Sequence, residues 1–242
     1  MYGPLVLGEE VKFKDILLRL EGGERYSLYI RSSPWGDIRK RLVGVEKLII
    51  HPAPPIYLPV PGLFSHIYIP ISPEIYVDVG EETFIDLYVL PDIAVSHVER
   101  STRYIDIIPL KTPKMAAYGG SADGILSRYL FPAGDEDPKV RIPIRITNKC
   151  GEPISISKIV FPISFYNVYY LEGSSQGVCN SLNVELECDV AIIYPDKEGP
   201  SDGYKPIPIE STEVLMEKLG LDMSSFKRMF NVDKSFIMDR GL

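Results

Sequence analysis

The chain is poor in side-chain amides: one glutamine, Gln176, and five asparagines among 242 residues. Such thermolabile residues are depleted in proteins that work hot, so the composition points to a thermophile. Cysteine is also scarce, at Cys150, Cys179 and Cys188. An odd count with no secretory leader speaks against a disulfide framework. In a cytosolic chain the expectation is reduced, buried thiols, with a Cys179–Cys188 pairing across a hairpin as the alternative. The N-terminal stretch has no basic region and turns acidic by Glu9, so no signal peptide is read there. No apolar run approaches the ~20 residues that span a bilayer. These absences together lead to the expectation of a cytoplasmic chain without a transmembrane segment.

Positive charge is in deficit. Lys and Arg total 26 against 33 Asp and Glu, a net charge of −7. General nucleic-acid binding needs a basic surface to neutralise phosphates, so it is not expected. With three histidines, His51, His66 and His97, and no CxxC or HExxH spacing, a zinc site is not expected. Phosphate and dinucleotide loops, GxxxxGK[ST] and GxGxxG, are missing as well. No cofactor is expected.

Proline (21) and glycine (19) are plentiful and spread along the chain. They punctuate β-rich runs every 8–12 residues, the pattern of a sandwich or barrel. Ile16, Leu18 and Leu20, then Gly22-Gly23, then Tyr26, Leu28 and Ile30 read as a hairpin with period two. Arg31–Arg41 reads as a polar loop. His51–Gly62 carries five prolines and reads as an extended edge or crossover. Short strands follow to Leu110, with connectors too short for crossover helices, so antiparallel pairing is expected. Lys111–Gly124 is glycine-rich and strand-poor, a boundary. After it come strands to Tyr194, then short helices over Thr212–Leu219 and from Asp222.

One stretch is written twice. Gly80–Pro91 (GEETFIDLYVLP) and Gly151–Pro162 (GEPISISKIVFP) agree at five of twelve positions, all at an offset of 71. Ile69-Pro70-Ile71 and Ile142-Pro143-Ile144 correspond upstream. The copies read as equivalent hairpins in two duplicated domains. The expected fold is all-β: two tandem antiparallel β-sandwich (Ig-like) domains at 1–113 and 114–210, with short helices at 211–242 docking on the second.

Candidate chemistry is thin. Gly119-Gly120-Ser121-Ala122-Asp123 lacks the closing glycine, the strand and the helix of a nucleophile elbow. Asp135-Glu136-Asp137 lacks the alternating spacing of a calcium loop and reads as a solvated turn. The fifteen tyrosines raise sugar binding on a sandwich face, although tyrosine is also an ordinary strand residue. The sharpest binding candidate is Arg31, Trp35, Arg39, Lys40 and Arg41, where guanidinium and indole groups could hold an anion or a ring.

Met1-Tyr2-Gly3, Lys114 to Gly119, Gly124-Ile125 with Arg128-Tyr129, and Ile142 to Pro162 resemble an uncharacterised protein family, a domain of unknown function found mainly in archaea. The resemblance implies an archaeal, often thermophilic origin. It implies no activity and transfers no site residue. The expected function is a non-catalytic binding or assembly module, with a protein partner or self-association through loops and edges. The alternatives are a hydrolase-like enzyme or a ligand sensor. Its site would lie in the inter-domain crevice, using Ser121, Asp123, Arg128, His66 or His97, or at the Arg31–Arg41 loop.

Overall fold

Period-two alternation of β-branched and polar residues produces strands and, among the described residues, no α-helix. The computed structural model describes residues 1–53, 64–110, 114–117, 124–127, 129–130, 138–162, 165–200, 203–208 and 236–239. In chain order the strands begin with β1 (Gly3–Val6), β2 (Glu10–Phe13), β3 (Ile16–Glu21), β4 (Ser27–Ser32), β5 (Ile38–Leu42) and β6 (Lys47–Ala53). Next come β7 (Phe64–Val77), β8 (Glu82–Val89), β9 (Asp92–Val98), β10 (Thr102–Ile108), β11 (Lys114–Ala117), β12 (Gly124–Ser127) and β13 (Tyr129–Leu130). The remainder are β14 (Lys139–Asn148), β15 (Ile154–Pro162), β16 (Val168–Tyr170), β17 (Gln176–Cys179), β18 (Leu182–Leu186), β19 (Val190–Pro195), β20 (Lys205–Pro206) and β21 (Phe236–Asp239).

Four sheets result. The first has order β1-β6-β9-β10 and the second is the meander β2-β3-β4-β5. The third has order β11-β12-β7-β15. The fourth, of nine strands, runs β20-β16-β17-β14-β18-β19-β21, with β8 on β14 and β13 on β8. Fully buried Leu5, Leu18, Ile69 and Leu87 come one from each sheet, and all belong to one continuous core. Burying each such side chain contributes roughly 1.5–3 kcal/mol relative to leaving it in water.

The duplicated stretch does not form hairpins. β7 and β8 lie in different sheets, joined by a turn in which Gly80 takes a φ of 69° that favours glycine. β14 and β15 are split between the same two sheets, in reverse. Each unit is therefore an arch, and the arches interlock. β7 pairs antiparallel with β15, and β8 with β14. The first strand of each copy lies beside the second strand of the other. Ile69 and Ile71 are buried around Pro70, as Ile142 and Ile144 are around Pro143. The expected boundary segment 111–124 thus separates strands that pair with each other.

One buried side chain ties the two arch turns together. Asn148 donates its amide hydrogens to the carbonyls of Val77, Asp78 and Glu152, at 3.1, 3.1 and 3.0 Å. Its Oδ1 accepts from the Cys150 N–H at 2.9 Å, and its own N–H donates to Glu81 O at 3.0 Å. Beside this clamp, Cys150 is disulfide-bonded to Cys188, while Cys179 is free and buried. Both expected cysteine arrangements are thus replaced. The β14–β15 turn carries Cys150 to the end of β18, next to β14 in the sheet, whereas Cys179 points into the core.

Three further expectations change. Arg31–Arg41 is not all loop, since Ile38–Leu42 forms β5 against β4. Pairing is not wholly antiparallel: β14 runs parallel to β17 and β18, and β12 to β7. The crossover from β14 to β17 runs through β15 of the third sheet, where a helix usually makes such a connection. The expected helices at 212–219 and from 222 lie outside the described residues; Phe236–Asp239 pairs as a strand with β19.

Replacing Asn148 with Ala leaves three carbonyls and one N–H without their partner. The expected cost is about 3 kcal/mol in denaturant-induced unfolding. Asn148→Asp is expected to fall in the same range, because a carboxylate cannot donate to the three carbonyls. Reducing the Cys150–Cys188 bond releases a sequence separation of 38 residues. By loop entropy the chain then loses about 4 kcal/mol, read as a lower melting temperature with reductant and no such change in a Cys150→Ser/Cys188→Ser variant.

Candidate anion-binding cleft

The period of two along β5 splits the basic candidates. Lys40 stands opposite Tyr29, and Ile38 opposite Arg31, on the face turned toward the first sheet. There Asp106 of β10 is buried. It accepts from Tyr29 Oη at 3.0 Å and forms an ion pair with Arg31 Nη1 at 3.0 Å. Lys40 Nζ lies 4.0 Å from the same carboxylate and donates to the Ile105 carbonyl. Burial, reinforced by the adjacent carboxylate, pushes the Tyr29 hydroxyl far above the usual phenol range. Arg31 and Lys40 are thus committed to holding the second sheet on the first. A buried pair of this kind is weak evidence for net stability, but removing one partner strands the other.

Arg39 and Arg41 project from the opposite face of β5 and are exposed. Arg41 stacks over the Tyr26 ring at 5.2 Å. Trp35 sits 57% exposed in the turn between β4 and β5, where Ser33 Oγ donates to the Gly36 carbonyl at 2.6 Å. The five candidates therefore do not converge. Arg41 is the one that reaches a cleft.

That cleft, about 520 Å³, opens where the ends of β5, β9 and β10 meet. Arg41, Arg100 and Arg103 line it, with His97 and Glu99. Register brings them together: Arg103 lies directly opposite His97 across the β9–β10 hairpin, whose turn carries Arg100. Glu99 brings the single carboxylate among the cleft's lining residues, its Oε1 3.3 Å from His97 Nε2. Among the described residues no carboxylate forms an ion pair with Arg41, Arg100 or Arg103. Arg100, Arg103 and Arg41, whose guanidinium lies over the Tyr26 ring, line one concave site, and guanidinium forks suit phosphate or carboxylate oxygens. A second hollow of about 630 Å³ shares Gly44, His97 and Glu99 and continues past Ile49 and Tyr170. Arg100 and Arg103 escaped the sequence reading because they lie some sixty residues from Arg41, and only the hairpin and sheet packing bring them near.

The other sequence candidates fare differently. Ser121, Asp123 and Arg128 lie outside the described residues, as does Asp135-Glu136-Asp137. His66 is half-buried on β7, paired in register with Pro162 and remote from His97 in the topology. Among the described residues no three His, Cys, Asp or Glu side chains gather as a metal ion requires.

His51 holds a pair that sequence reading missed. Its Nδ1 donates to the Pro52 carbonyl at 2.9 Å, which leaves Nε2 to accept from Ser96 Oγ at 2.8 Å. This is the polarity of a general base beside a nucleophile. Both residues are completely buried, so no substrate reaches them, and the pair links β6 to β9. Burial lowers the His51 pKa to about 4, with the Pro52 carbonyl opposing it.

These strands and clefts define an all-β, multi-sheet protein with an open, arginine-lined cleft and a sealed serine–histidine pair. The chain belongs to the family described as Protein of unknown function (DUF432), whose family model matches residues 1–232. No curated protein matches the chain, and no solved structure does. Among the described residues no helix is long and apolar enough to cross a membrane.

The neutral His51 produces a pH dependence whose sign is fixed. Its folded pKa is depressed, so the unfolded chain takes up the proton first as pH falls. Stability is full above about pH 6.5 and declines toward pH 4, by on the order of 3 kcal/mol from this group. Urea unfolding of the native chain and of His51→Gln at pH 7.5, 6 and 4.5 checks this. The native chain is expected to lose more stability across the series than the variant.

Proposed function

We propose that this protein is a non-catalytic binding module, built from tandem sandwiches, that takes a small phosphate-bearing anion in the cleft of Arg41, Arg100 and Arg103. The tandem arrangement pairs the first sheet with the second and the third with the fourth. The Tyr29–Asp106 bond supports the first pairing, and the contact of Val160 N–H with Met238 Sδ supports the other. The observation that carries the ligand reading is the lack of any described carboxylate on three arginines in one cleft, in a chain of net charge −7. A protein this acidic repels anions at long range, so a local cluster of unpaired guanidiniums is an electrostatic exception. The cleft volume falls within the range of small-ligand sites. The enzyme reading has less behind it, because the one described nucleophile–base pair is closed to solvent. An archaeal, thermophilic cytoplasm is part of the proposal. The amide-poor composition supports it, and intracellular disulfides are at home in hyperthermophiles.

Calorimetric titration with inorganic phosphate and with pyrophosphate at low ionic strength tests the cleft. Pyrophosphate is expected to bind, and the Arg100→Ala/Arg103→Ala variant to bind at least about tenfold more weakly, since each charge-assisted hydrogen bond contributes about 1.5–3 kcal/mol. Arg31→Lys is the control: it is expected to lower stability and leave binding unchanged. Absence of binding to either anion by the native chain, or equal binding by the double variant, overturns the proposal.

A further inference from the structure

The nine-stranded sheet carries a second concave site, unrelated to the arginine cleft. Phe84 stands in the middle of β8 with its side chain 70% exposed. Across the strand pair the Arg145 guanidinium lies over the ring, and most of the residue still meets water. Register places Phe84, Arg145, Asn183 and Tyr194 in one row across β8, β14, β18 and β19, so their side chains share the outer face. A hollow of about 330 Å³ lies on this row. Phe84, Asp86, Arg145, Ser181, Asn183 and Asp196 line it, with Pro143 among them.

The chemistry of the lining is mixed in a definite way. Arg145 is fixed by Glu82 at 2.6 Å, with its guanidinium carbon 5.9 Å from the Phe84 ring centroid. Its charge is thereby neutralised locally. Asp86 pairs with Arg141 at 3.4 Å, and among the described residues Asp196 Oδ1 accepts only from the next backbone N–H, at 2.8 Å. Among the described residues neither the Asn183 amide nor the Ser181 hydroxyl makes a side-chain hydrogen bond. The hollow thus offers a largely exposed aromatic ring flanked by a guanidinium, free donors and acceptors, and no surplus positive charge. An anionic ligand is disfavoured by the two carboxylates, and a purely apolar one by the polar rim.

We infer that this face binds a neutral oligosaccharide. A pyranose presents axial C–H groups that rest on the electron-rich face of an aromatic ring. Its equatorial hydroxyls point to the sides, where carboxylate, amide and hydroxyl groups satisfy them. The row covers four strands. At the ~4.8 Å spacing between strands it is about 14 Å long, the length of two or three linked rings. Phe84 forms the platform at one end, and Asn183, Ser181 and Asp196 form the polar end.

Three neutral probes, cellohexaose, maltohexaose and mannohexaose, are titrated separately and followed by saturation-transfer NMR and calorimetry. At least one is expected to bind. Phe84→Ala is expected to weaken it by about tenfold or more and Phe84→Tyr to retain it, with Asn183→Ala intermediate. Phe84 is on the surface, so an unchanged melting temperature in Phe84→Ala separates loss of the platform from loss of the fold. Binding of none of the three probes by the native chain, or equal binding by Phe84→Ala, overturns the inference. Pyrophosphate binding is expected to be the same in Phe84→Ala as in the native chain, since the two sites lie on different sheets.

Discussion

The fold depends on the way Asn148 closes two turns at once. An arch, unlike a hairpin, leaves its turn carbonyls without a ladder partner, because the flanking strands go to different sheets. Two arches brought side by side double the number of unpaired groups in one small volume. A primary amide is suited to this place. It carries two hydrogens for three carbonyls on two turns and an oxygen for an N–H on its own turn. With Asn148 buried, each of those bonds is made out of reach of competing water, and its loss leaves polar groups that solvent cannot readily satisfy. In a chain with only five asparagines, one is spent at the crossing of the interlocked arches. The Cys150–Cys188 bond then anchors the same turn to the end of β18.

What was legible in the sequence was local. Period two and the Gly22-Gly23 turn locate β3 and β4, but the face buried on β4 carries Ser27, Tyr29 and Arg31 and not Tyr26, Leu28 and Ile30. The repeated Gly-Glu stretch marks two equivalent strand–turn–strand units, but nothing in either copy says which strand it will pair with. Interlocking is a pairing across about seventy residues, decided by which faces bury together. The same limit applies to chemistry. Arg31, Arg39, Lys40 and Arg41 look like one basic cluster in sequence, and alternation along β5 sends them to opposite faces. Arg100 and Arg103, far away in sequence, become the neighbours of Arg41. The cysteine pairing was likewise illegible, since it follows from the parallel neighbours β14 and β18 and not from spacing.

Burial sorts the polar groups into two sets with different roles. Asp106, Tyr29, Arg31, His51 and Ser96 are shielded and mutually satisfied, and their energy goes into joining strands and sheets. Breaking one member strands another, so they tolerate little change. Arg41, Arg100 and Arg103 are the reverse: they are exposed, near one another and unpaired among the described residues. Three like charges in a cleft repel, which costs folding free energy unless solvent screens them or a ligand neutralises them. Arg19 pairs with Glu10 and Arg145 with Glu82, while Arg25 and Arg39 stand singly without a carboxylate among the described residues; Arg41, Arg100 and Arg103 differ in lining one cleft, where a bound anion adds stability.

The hollow beside Phe84 follows the same logic with the opposite balance. Arg145 and Asp86 are already paired, and its unused capacity is an aromatic ring, an amide, a hydroxyl and the Asp196 carboxylate. A ligand that gains from such a surface must itself be amphipathic over a few ångströms, apolar on its flat side and hydroxylated at its rim. Charge therefore separates the two sites: the arginine cleft discriminates by net charge and by the geometry of oxygen atoms, and the sheet face by shape and hydroxyl pattern. Binding at one places no demand on the residues of the other. The clamp at Asn148 holds β8 against β14, and so it holds the Phe84–Arg145 row in register for whatever docks there.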